Sequence, residues 1–196
     1  MNRCLILGSR NAHKLREIEA LVGDVGVTLL PLPADIAEAP EEADSFRQNA
    51  VDKARHYAAA SGQLCLSDDS GLVVPSLDGA PGIYSARFAG APRSDSRNNA
   101  LLLERLEGRP AAERGAHFVC AMVVADAKGP LLVVEGRLDG VILEAPRGDG
   151  GFGYDPLFYV ESQNASLAEL NPAVKNHISH RGHALRRIAQ ALPAIL

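Results

Sequence analysis

Cysteine is scarce in this 196-residue sequence, and the three present, Cys4, Cys65 and Cys120, are widely spaced. No pair of them has the spacing of a metal site. Each lies in an apolar run, so we expect each to be a small core residue. An odd number of separated cysteines suits a reducing compartment.

Long apolar runs are missing as well. The N-terminal stretch MNRCLILGSR has only four consecutive apolar residues before Gly8. Such a run is too short for a signal peptide or a membrane span. We therefore expect a cytoplasmic protein with no membrane partner.

The sequence also lacks a block of like charge. It has 20 Lys and Arg against 24 Asp and Glu, a formal net charge of −4. This balance argues against a nucleic-acid partner, although a local basic cluster for phosphate is compatible with it. Composition is that of an ordinary soluble protein, with no repeat, low-complexity tract or linker. The sequence predicts a single domain over residues 1–196.

Apolar patterning predicts alternating strands and helices. Ser45 and Ser179 are suited to cap two of the helices, and DAKGP at 126–130 is typical of a hairpin turn. This order of elements predicts an α/β fold with a mixed sheet. The predicted strands are 4–7, 27–30, 64–66, 71–74, 117–125 and 131–143, and the predicted helices are 13–22, 46–60, 98–106 and 179–192.

Two adjacent carboxylates, Asp68 and Asp69, stand between two apolar runs in SDDSGL. We expect Ser70 and Gly71 to form a turn that carries them to the end of a sheet, where carboxylates can hold Mg²⁺ against substrate phosphates. The alternative is a solvated turn in which Asp68 hydrogen-bonds its own backbone.

The loop GSRNAHK, residues 8–14, leaves a predicted strand and enters a predicted helix. Backbone N–H groups at a helix start favour anions, and Asn11 and Lys14 add a donor and a charge. Gly8 would let the chain turn. The alternative is an ordinary strand-to-helix turn with a solvated lysine, and the spacing of a Walker loop is absent.

Two later segments carry polar and aromatic groups. GGFGYDP at 150–156 has aromatics that can stack on a base and an acid that can accept from base N–H groups. KNHISHRGHAL at 175–185 concentrates Lys175, His177, His180, Arg181 and His183. Alone, these segments suit a glycine-rich turn and a charged helix face. Together with the anion loop and the acidic pair they indicate a site for a nucleoside triphosphate.

Five segments carry a family resemblance: SRNAHKLREI, FRQNAVDKA, SDDSGLVVPSLDGAPGIYSARFAG, GGFGYDPLF and SHRGHAL. Through them the chain resembles the inosine triphosphate pyrophosphatase family, above all its bacterial dITP/XTP pyrophosphatases. The resemblance implies an elongated α/β fold, with a long mixed sheet flanked by helices and two lobes around an active-site cleft. It implies Mg²⁺, a homodimer, and hydrolysis of dITP, ITP and XTP to the monophosphate and pyrophosphate, which keeps such bases out of DNA and RNA.

The resemblance also implies residue roles. Glu41 and Asp69 would bind Mg²⁺, which would relieve the repulsion within the aspartate pair. Asp69 would be the catalytic proton acceptor for the attacking water, and Ser70 would touch substrate. The triphosphate would be held by Ser9, Arg10, Asn11, Ala12, His13, Lys14 and Lys53. The purine would be held by Phe152, Gly153, Tyr154, Asp155, Lys175, His180 and Arg181.

The chain departs from the family pattern in three places. Ser9 and Arg10 stand where the family usually has Thr-Gly, and Gln48 stands where it usually has Glu. The segment EEADSF at 41–46 lacks the familiar Glu-Thr-Gly, so the choice between Glu41 and Glu42 is open. Arg10 could contact phosphate or point to solvent.

Two other classes of protein are less consistent with these residues. A nucleotide-binding protein without catalysis would keep the base-contacting residues but lose the acids, and the acids are present. An RNA-binding module is disfavoured by the acidic balance and by the lack of a basic stripe.

Overall fold

The structure, a computed structural model, describes residues 4–22 and 28–194. Its strands are β1 (Cys4–Leu7), β2 (Thr28–Pro31), β3 (Cys65–Val73), β4 (Gly115–Asp126), β5 (Gly129–Ile142), β6 (Phe158–Val160) and β7 (Ala165–Ser166). Its α-helices are α1 (Ala12–Val22), α2 (Phe46–Ser61), α3 (Asp95–Arg105), α4 (Pro172–Ile178) and α5 (His180–Ala191).

All seven strands belong to one sheet, in the order β2-β1-β3-β4-β5-β6-β7. β1 pairs in parallel with both β2 and β3. β6 pairs antiparallel with β5 and with β7. The predicted α/β fold with a mixed sheet flanked by helices is therefore confirmed. Val27, part of the predicted second strand, lies outside the described residues.

Chain contacts divide the protein into two units. Unit 1 comprises Met1–Asp69, Cys120–Arg137 and Ser179–Leu196. Unit 2 comprises Ser70–Val119 and Leu138–Ile178. The prediction of a single domain over residues 1–196 stays a prediction.

The core of unit 1 joins β1 to the helices α1 and α5. Leu5 and Leu7 of β1 are buried together with Ile18 of α1 and Ile188 of α5. The helix predicted over residues 13–22 is confirmed as α1, and its residues Leu15 and Leu21 pack on the same cluster. Burying one such side chain contributes about 1.5–3 kcal/mol, which is why this amphipathic pattern holds α1 in place.

The core of unit 2 contains several aromatic residues. Leu72 and Leu102 are fully buried beside Phe118, Leu157 and Phe158. The rings of Phe118 and Phe158 have centroids 4.7 Å apart. α3 contributes Leu102 to this cluster, so the core fixes the position of that helix.

The paired aspartates do not stand at a turn, so the prediction of one at Ser70–Gly71 is wrong. Residues 65–73 form one nine-residue strand, β3, that runs through SDDSG. Successive side chains of a strand point to opposite faces. Asp68 and Asp69 are therefore separated by the strand itself and meet different partners.

The two predicted helix caps are confirmed. The hydroxyl of Ser45 accepts the N–H of Gln48, and that of Ser179 accepts the N–H of Gly182. Gly62 ends α2 with a φ of +68°, a conformation that glycine adopts without strain. α3 begins before the predicted Asn98, because the hydroxyl of Ser94 caps it. The helix α4 and the short strands β6 and β7 were not predicted.

Two of the three cysteines are buried, as predicted, and one is not. Cys65 and Cys120 are fully buried, and burial raises the pKa of the Cys65 thiol to about 12. Cys4 is exposed, so the prediction that it is a core residue is wrong. It is the first residue of β1, where the burial of that strand has not yet begun.

No helix within residues 4–22 and 28–194 combines the length and the apolar character needed to cross a bilayer. α2 has 16 residues, whereas a spanning helix needs about 20.

Candidate functional site

Gly8 lies where the chain leaves β1 and passes close to β3 and α2. A Cβ atom at this position would come within 2.7 Å of both the Cys65 Sγ and the Tyr57 ring. The Gly8 carbonyl also accepts the hydroxyl of Ser67 at 3.0 Å. Glycine is thus required here because there is no space for a side chain, and not because of the predicted freedom to turn. This close approach places the following loop against β3.

The loop from Ser9 to Lys14 is organised by Asn11. The Asn11 Oδ1 accepts the N–H groups of His13 at 3.0 Å and Lys14 at 3.3 Å, and the Asn11 N–H is held by the Ser9 hydroxyl. Asn11 therefore caps α1 with its own side chain. Ala12 and His13, also predicted to bind substrate, are exposed on the first turn.

Arg10 is exposed and bonds to the backbone of a neighbouring segment. Its Nη2 donates to the carbonyl oxygens of Pro33 at 3.2 Å, Ala34 at 3.4 Å and Ile36 at 2.5 Å. The guanidinium thus ties the loop after β1 to the Pro-rich connection that follows β2. A role for Arg10 in substrate binding stays a prediction.

Asp68 is buried among cations. Its Oδ2 lies 3.1 Å from the Lys14 Nζ and 3.5 Å from the Arg181 Nε, and the side chain is 1% exposed. Burial alone would raise the pKa of Asp68, but Lys14, Arg181 and Lys53 outweigh it and hold that pKa well below its usual range. The positive charge that the aspartate pair requires is therefore supplied by fixed side chains.

Arg181 is itself held between two acids. Its guanidinium pairs with Glu17 as well as with Asp68 and is 2% exposed. Burial would lower the pKa of Arg181, yet Asp68 and Glu17 raise it above its usual value. Glu17 was missed from the sequence, although it follows Lys14 by three positions and so shares its helix face.

Asp69 is oriented by Asn49 of α2. The Asn49 Nδ2 donates to the Asp69 Oδ2 at 3.0 Å, while its Oδ1 accepts the N–H of Ala43 at 3.0 Å. Burial raises the pKa of Asp69 and Glu41 adds to the rise, together outweighing Lys14, Lys53 and the bond from Asn49. Asn49 lies within the quoted segment FRQNAVDKA but was not named as a site residue.

Lys53 connects Glu41 to the strand that carries the aspartates. Its Nζ donates to the Glu41 Oε1 at 2.7 Å and to the Asp68 carbonyl at 2.8 Å. Burial would lower the pKa of Lys53, but Asp68, Glu41 and Asp69 raise it. Glu42 is exposed, so Glu41 is the acid drawn into this cluster.

The donor set of Glu41 and Asp69 fits a hard divalent cation. Within the described part of the chain no three His, Cys, Asp or Glu side chains converge as a metal site. Mg²⁺ does not need one, since it binds through one or two carboxylates, waters and substrate phosphates. Glu41 is 31% exposed, and its charge raises the pKa of Asp69, a repulsion that a shared cation would relieve.

The residues of KNHISHRGHAL fall on two helices. Lys175 and His177 lie on α4 in unit 2, and His180, Arg181 and His183 lie on α5 in unit 1. His180 is buried at the start of α5. That helix packs tightly on β5, because a Cβ on Gly136 would overlap the His180 carbonyl oxygen. Ser70 follows Asp69 in β3 and is half-buried.

In unit 2, the loop from Phe152 to Asp155 folds around one carboxylate. The Asp155 Oδ2 accepts the N–H of Phe152 at 2.8 Å and the Lys175 Nζ at 2.5 Å. The same Nζ lies 4.8 Å from the centroid of the Phe152 ring, a cation–π contact. Three of the predicted base-contacting residues are thus brought together.

Tyr154, a fourth, turns into the core of unit 2. It is 4% exposed, and its hydroxyl donates to the Ser85 carbonyl at 2.9 Å. Burial raises the pKa of Tyr154, and Asp95 adds to the rise. The ring therefore anchors the loop, and Phe152 is the aromatic that is left partly exposed.

The sequence matches the profile of the Ham1 family over residues 5–191, and the chain belongs to that family. A protein from Chromobacterium violaceum named dITP/XTP pyrophosphatase is 47% identical over 195 residues, covering 97% of this chain and 98% of that protein. One of the same name from Aromatoleum aromaticum is 48% identical over 196 residues, covering 98% of each.

Solved structures of the family share this fold. A HAM1 protein from Coxiella burnetii superposes with a TM-score of 0.90 at 38% identity, covering 98% of this chain and 99% of that one. A nucleoside-triphosphatase, dITP/XTP pyrophosphatase, from Mycobacterium abscessus gives a TM-score of 0.76 at 41% identity, covering 94% and 97%.

Proposed function

We propose that this protein hydrolyses nonstandard purine nucleoside triphosphates, namely dITP, ITP and XTP, to the monophosphate and pyrophosphate. The observation that carries the proposal is Asp69, a buried carboxylate that Asn49 orients within a cluster of lysines. The relatives named dITP/XTP pyrophosphatase, which match nearly the whole chain, support the same activity.

The triphosphate would bind at the loop from Ser9 to Lys14. Lys14 and Lys53 supply positive charge there, and both act on the carboxylates of β3. Phosphate oxygens would compete with Asp68 for the Lys14 Nζ, which is the more accessible of the two ammonium groups. Ammonium groups act as point charges toward phosphate, so neither needs a fixed orientation.

Glu41 and Asp69 would hold Mg²⁺, which supplies charge shielding of the phosphates and polarises the phosphorus that is attacked. The Asp69 carboxylate would take the proton of the attacking water, and general base catalysis of this kind contributes about 10²–10⁴-fold in rate. Asn49 would keep that carboxylate in one orientation, because its own amide is fixed by the Ala43 N–H.

The purine would be contacted by Phe152, Asp155 and Lys175. The Phe152 ring offers a face for stacking, and Lys175 and Asp155 offer a donor and an acceptor for the edge of the base. A contact of His180 and Arg181 with the base stays a prediction from the sequence, and Arg181 already pairs with Glu17 and Asp68.

The protein would act as a homodimer in the cytoplasm, without nucleic acid or membrane partners. The acidic balance of charge argues against a nucleic-acid partner. The described residues contain no helix that could span a bilayer, which argues against a membrane partner. The dimer rests on the family resemblance alone.

A triphosphate panel tests the activity. The purified protein is incubated with Mg²⁺ and ITP, dITP, XTP, ATP or GTP, and released pyrophosphate is measured, with Asp69→Asn as the control. The unaltered protein should release pyrophosphate from ITP, dITP and XTP, and Asp69→Asn should release none. Nucleotide binding without release would instead indicate a binding protein, and neither binding nor release would overturn the proposal.

A further inference from the structure

Helix α3 makes two hydrogen bonds to Gly153, near the centre of the loop from Phe152 to Asp155. The Asp95 Oδ2 accepts the N–H of Gly153 at 2.7 Å. The Asn99 Nδ2 donates to the Gly153 carbonyl oxygen at 2.9 Å. Asp95 and Asn99 are four positions apart on one helix, so they share a face and address the same residue. All of these residues belong to unit 2.

The two hydrogen bonds control the peptide planes on both sides of Gly153. Its N–H belongs to the plane shared with Phe152, and its carbonyl belongs to the plane shared with Tyr154. Holding both planes fixes φ and ψ of Gly153 together. This matters because Gly153 has a φ of +62°, and glycine has the widest range of alternative conformations.

The neighbours of Gly153 show why these two hydrogen bonds matter. Tyr154 is locked in the core through Ser85, so the loop is already anchored on that side. On the other side the half-buried Phe152 donates its N–H to the Asp155 Oδ2, and its carbonyl oxygen accepts the Asp155 N–H at 3.2 Å. Rotation at Gly153 would change the direction of the Phe152 backbone, and of the ring that it carries, relative to Tyr154.

The position of α3 does not depend on these bonds. Leu102 of α3 is fully buried in the core of unit 2, and the Ser94 hydroxyl caps the helix by accepting the Arg97 N–H. Asn98 also secures the preceding segment, donating to the carbonyls of Ser85 and Ala86. α3 is thus a fixed support from which Asp95 and Asn99 reach the loop.

We propose that Asp95 and Asn99 are positioning residues that set the affinity for the purine by fixing the backbone of Gly153 beside Phe152. The inference rests on the proposed function, since it concerns the base of the same substrate. Neither side chain needs to touch the nucleotide. Their contribution is the conformation of the loop before substrate arrives, which lowers the ordering cost of binding.

Kinetic constants of four variants test this role. Asp95→Ala and Asn99→Ala should each raise KM for ITP about tenfold and leave kcat within about twofold, since each loses one hydrogen bond that acts through binding alone. Asp95→Asn keeps an acceptor oxygen and should restore most of the affinity. Asn99→Asp loses the donor and should behave no better than Asn99→Ala.

A second ligand separates positioning from general destabilisation. The inhibition constant of inorganic tripolyphosphate, which has no base, should stay within about twofold in every variant. Ile142→Val is the matched control, because it removes one buried methyl group from the core of unit 2 and none of the bonds to Gly153. It should lower the urea midpoint without changing KM for ITP. An unchanged KM in Asp95→Ala and Asn99→Ala, or equal changes for ITP and tripolyphosphate, would overturn the proposal.

Hydrogen exchange of the peptide that covers residues 150–155 tests, without substrate, whether Asp95 holds the Gly153 amide. The Gly153 amide should be protected in the unaltered protein and lose its protection in Asp95→Ala but not in Ile142→Val. Equal protection of the Gly153 amide in Asp95→Ala and in the unaltered protein would overturn the inference that α3 holds the loop. If the unaltered protein hydrolyses no ITP, the proposed function fails and the claim about purine affinity is overturned with it, while the exchange result still decides whether α3 holds the loop.

Discussion

Asn49 offers the sharpest test of how the candidate site is held together. It is 2% exposed and bonds the Ala43 N–H and the Asp69 carboxylate, so Asn49→Ala removes both contacts. A neutral hydrogen bond contributes about 1 kcal/mol and one to a charged group about 1.5–3 kcal/mol. Alanine returns about 0.5 kcal/mol through its higher helix propensity. The free energy of unfolding should therefore fall by about 2–3.5 kcal/mol.

Urea unfolding followed by circular dichroism measures this loss. Gln48→Ala is the matched control, since Gln48 is the preceding residue of α2 and is exposed. Its side chain donates to Asp52 in a surface contact. That variant should change the free energy of unfolding by no more than about 0.5 kcal/mol.

A third variant isolates the contact with Asp69. Asn49→Asp keeps an acceptor for the Ala43 N–H but sets a carboxylate against Asp69, so at pH 7 it should destabilise at least as much as Asn49→Ala. If Asn49→Ala unfolds with the same free energy as Gln48→Ala, the inferred orientation of Asp69 by Asn49 is wrong.

Three further predictions concern the charged residues of unit 1. Asp69→Asn should abolish turnover without loss of thermal stability, since burial already disfavours the charge and the amide oxygen can still accept from Asn49; near-normal turnover would remove Asp69 from the mechanism. Lys14→Ala should weaken binding of ITP, measured by calorimetry, much more than binding of inosine, and equal losses would argue against a phosphate role. Arg181→Met should lower the free energy of unfolding in urea by roughly 3–5 kcal/mol, because it removes the buried guanidinium that pairs with both Glu17 and Asp68; a change below about 1 kcal/mol would contradict the buried network.

Local features of the fold were predictable because their causes are local. Ser45 and Ser179 cap helices through bonds to residues three positions away, and Gly62 ends α2 by its own backbone conformation. The apolar faces of the helices follow from periodicity alone. The error at Ser70 and Gly71 has the opposite origin. These residue types favour turns, but pairing with neighbouring strands keeps them in β3.

Which residues form the candidate site stays a prediction, and the contacts among them were not predictable. Glu41, Asp69, Lys53 and Arg181 were named from the sequence, whereas Glu17 and Asn49, which bond Arg181 and Asp69, were not. Glu17 and Arg181 are 164 positions apart in sequence, and Asn49 meets Asp69 only because α2 packs beside β3. Such pairings depend on tertiary packing, to which neither spacing nor propensity is sensitive.

The bond that is broken in the substrate is the central claim, and phosphorus NMR of the products tests it most directly. The protein is incubated with ITP and Mg²⁺ until the substrate is consumed, without any added phosphatase. The account predicts inosine monophosphate and pyrophosphate in equal amounts, with no orthophosphate. Inosine diphosphate with orthophosphate would show attack at the terminal phosphorus and would contradict it.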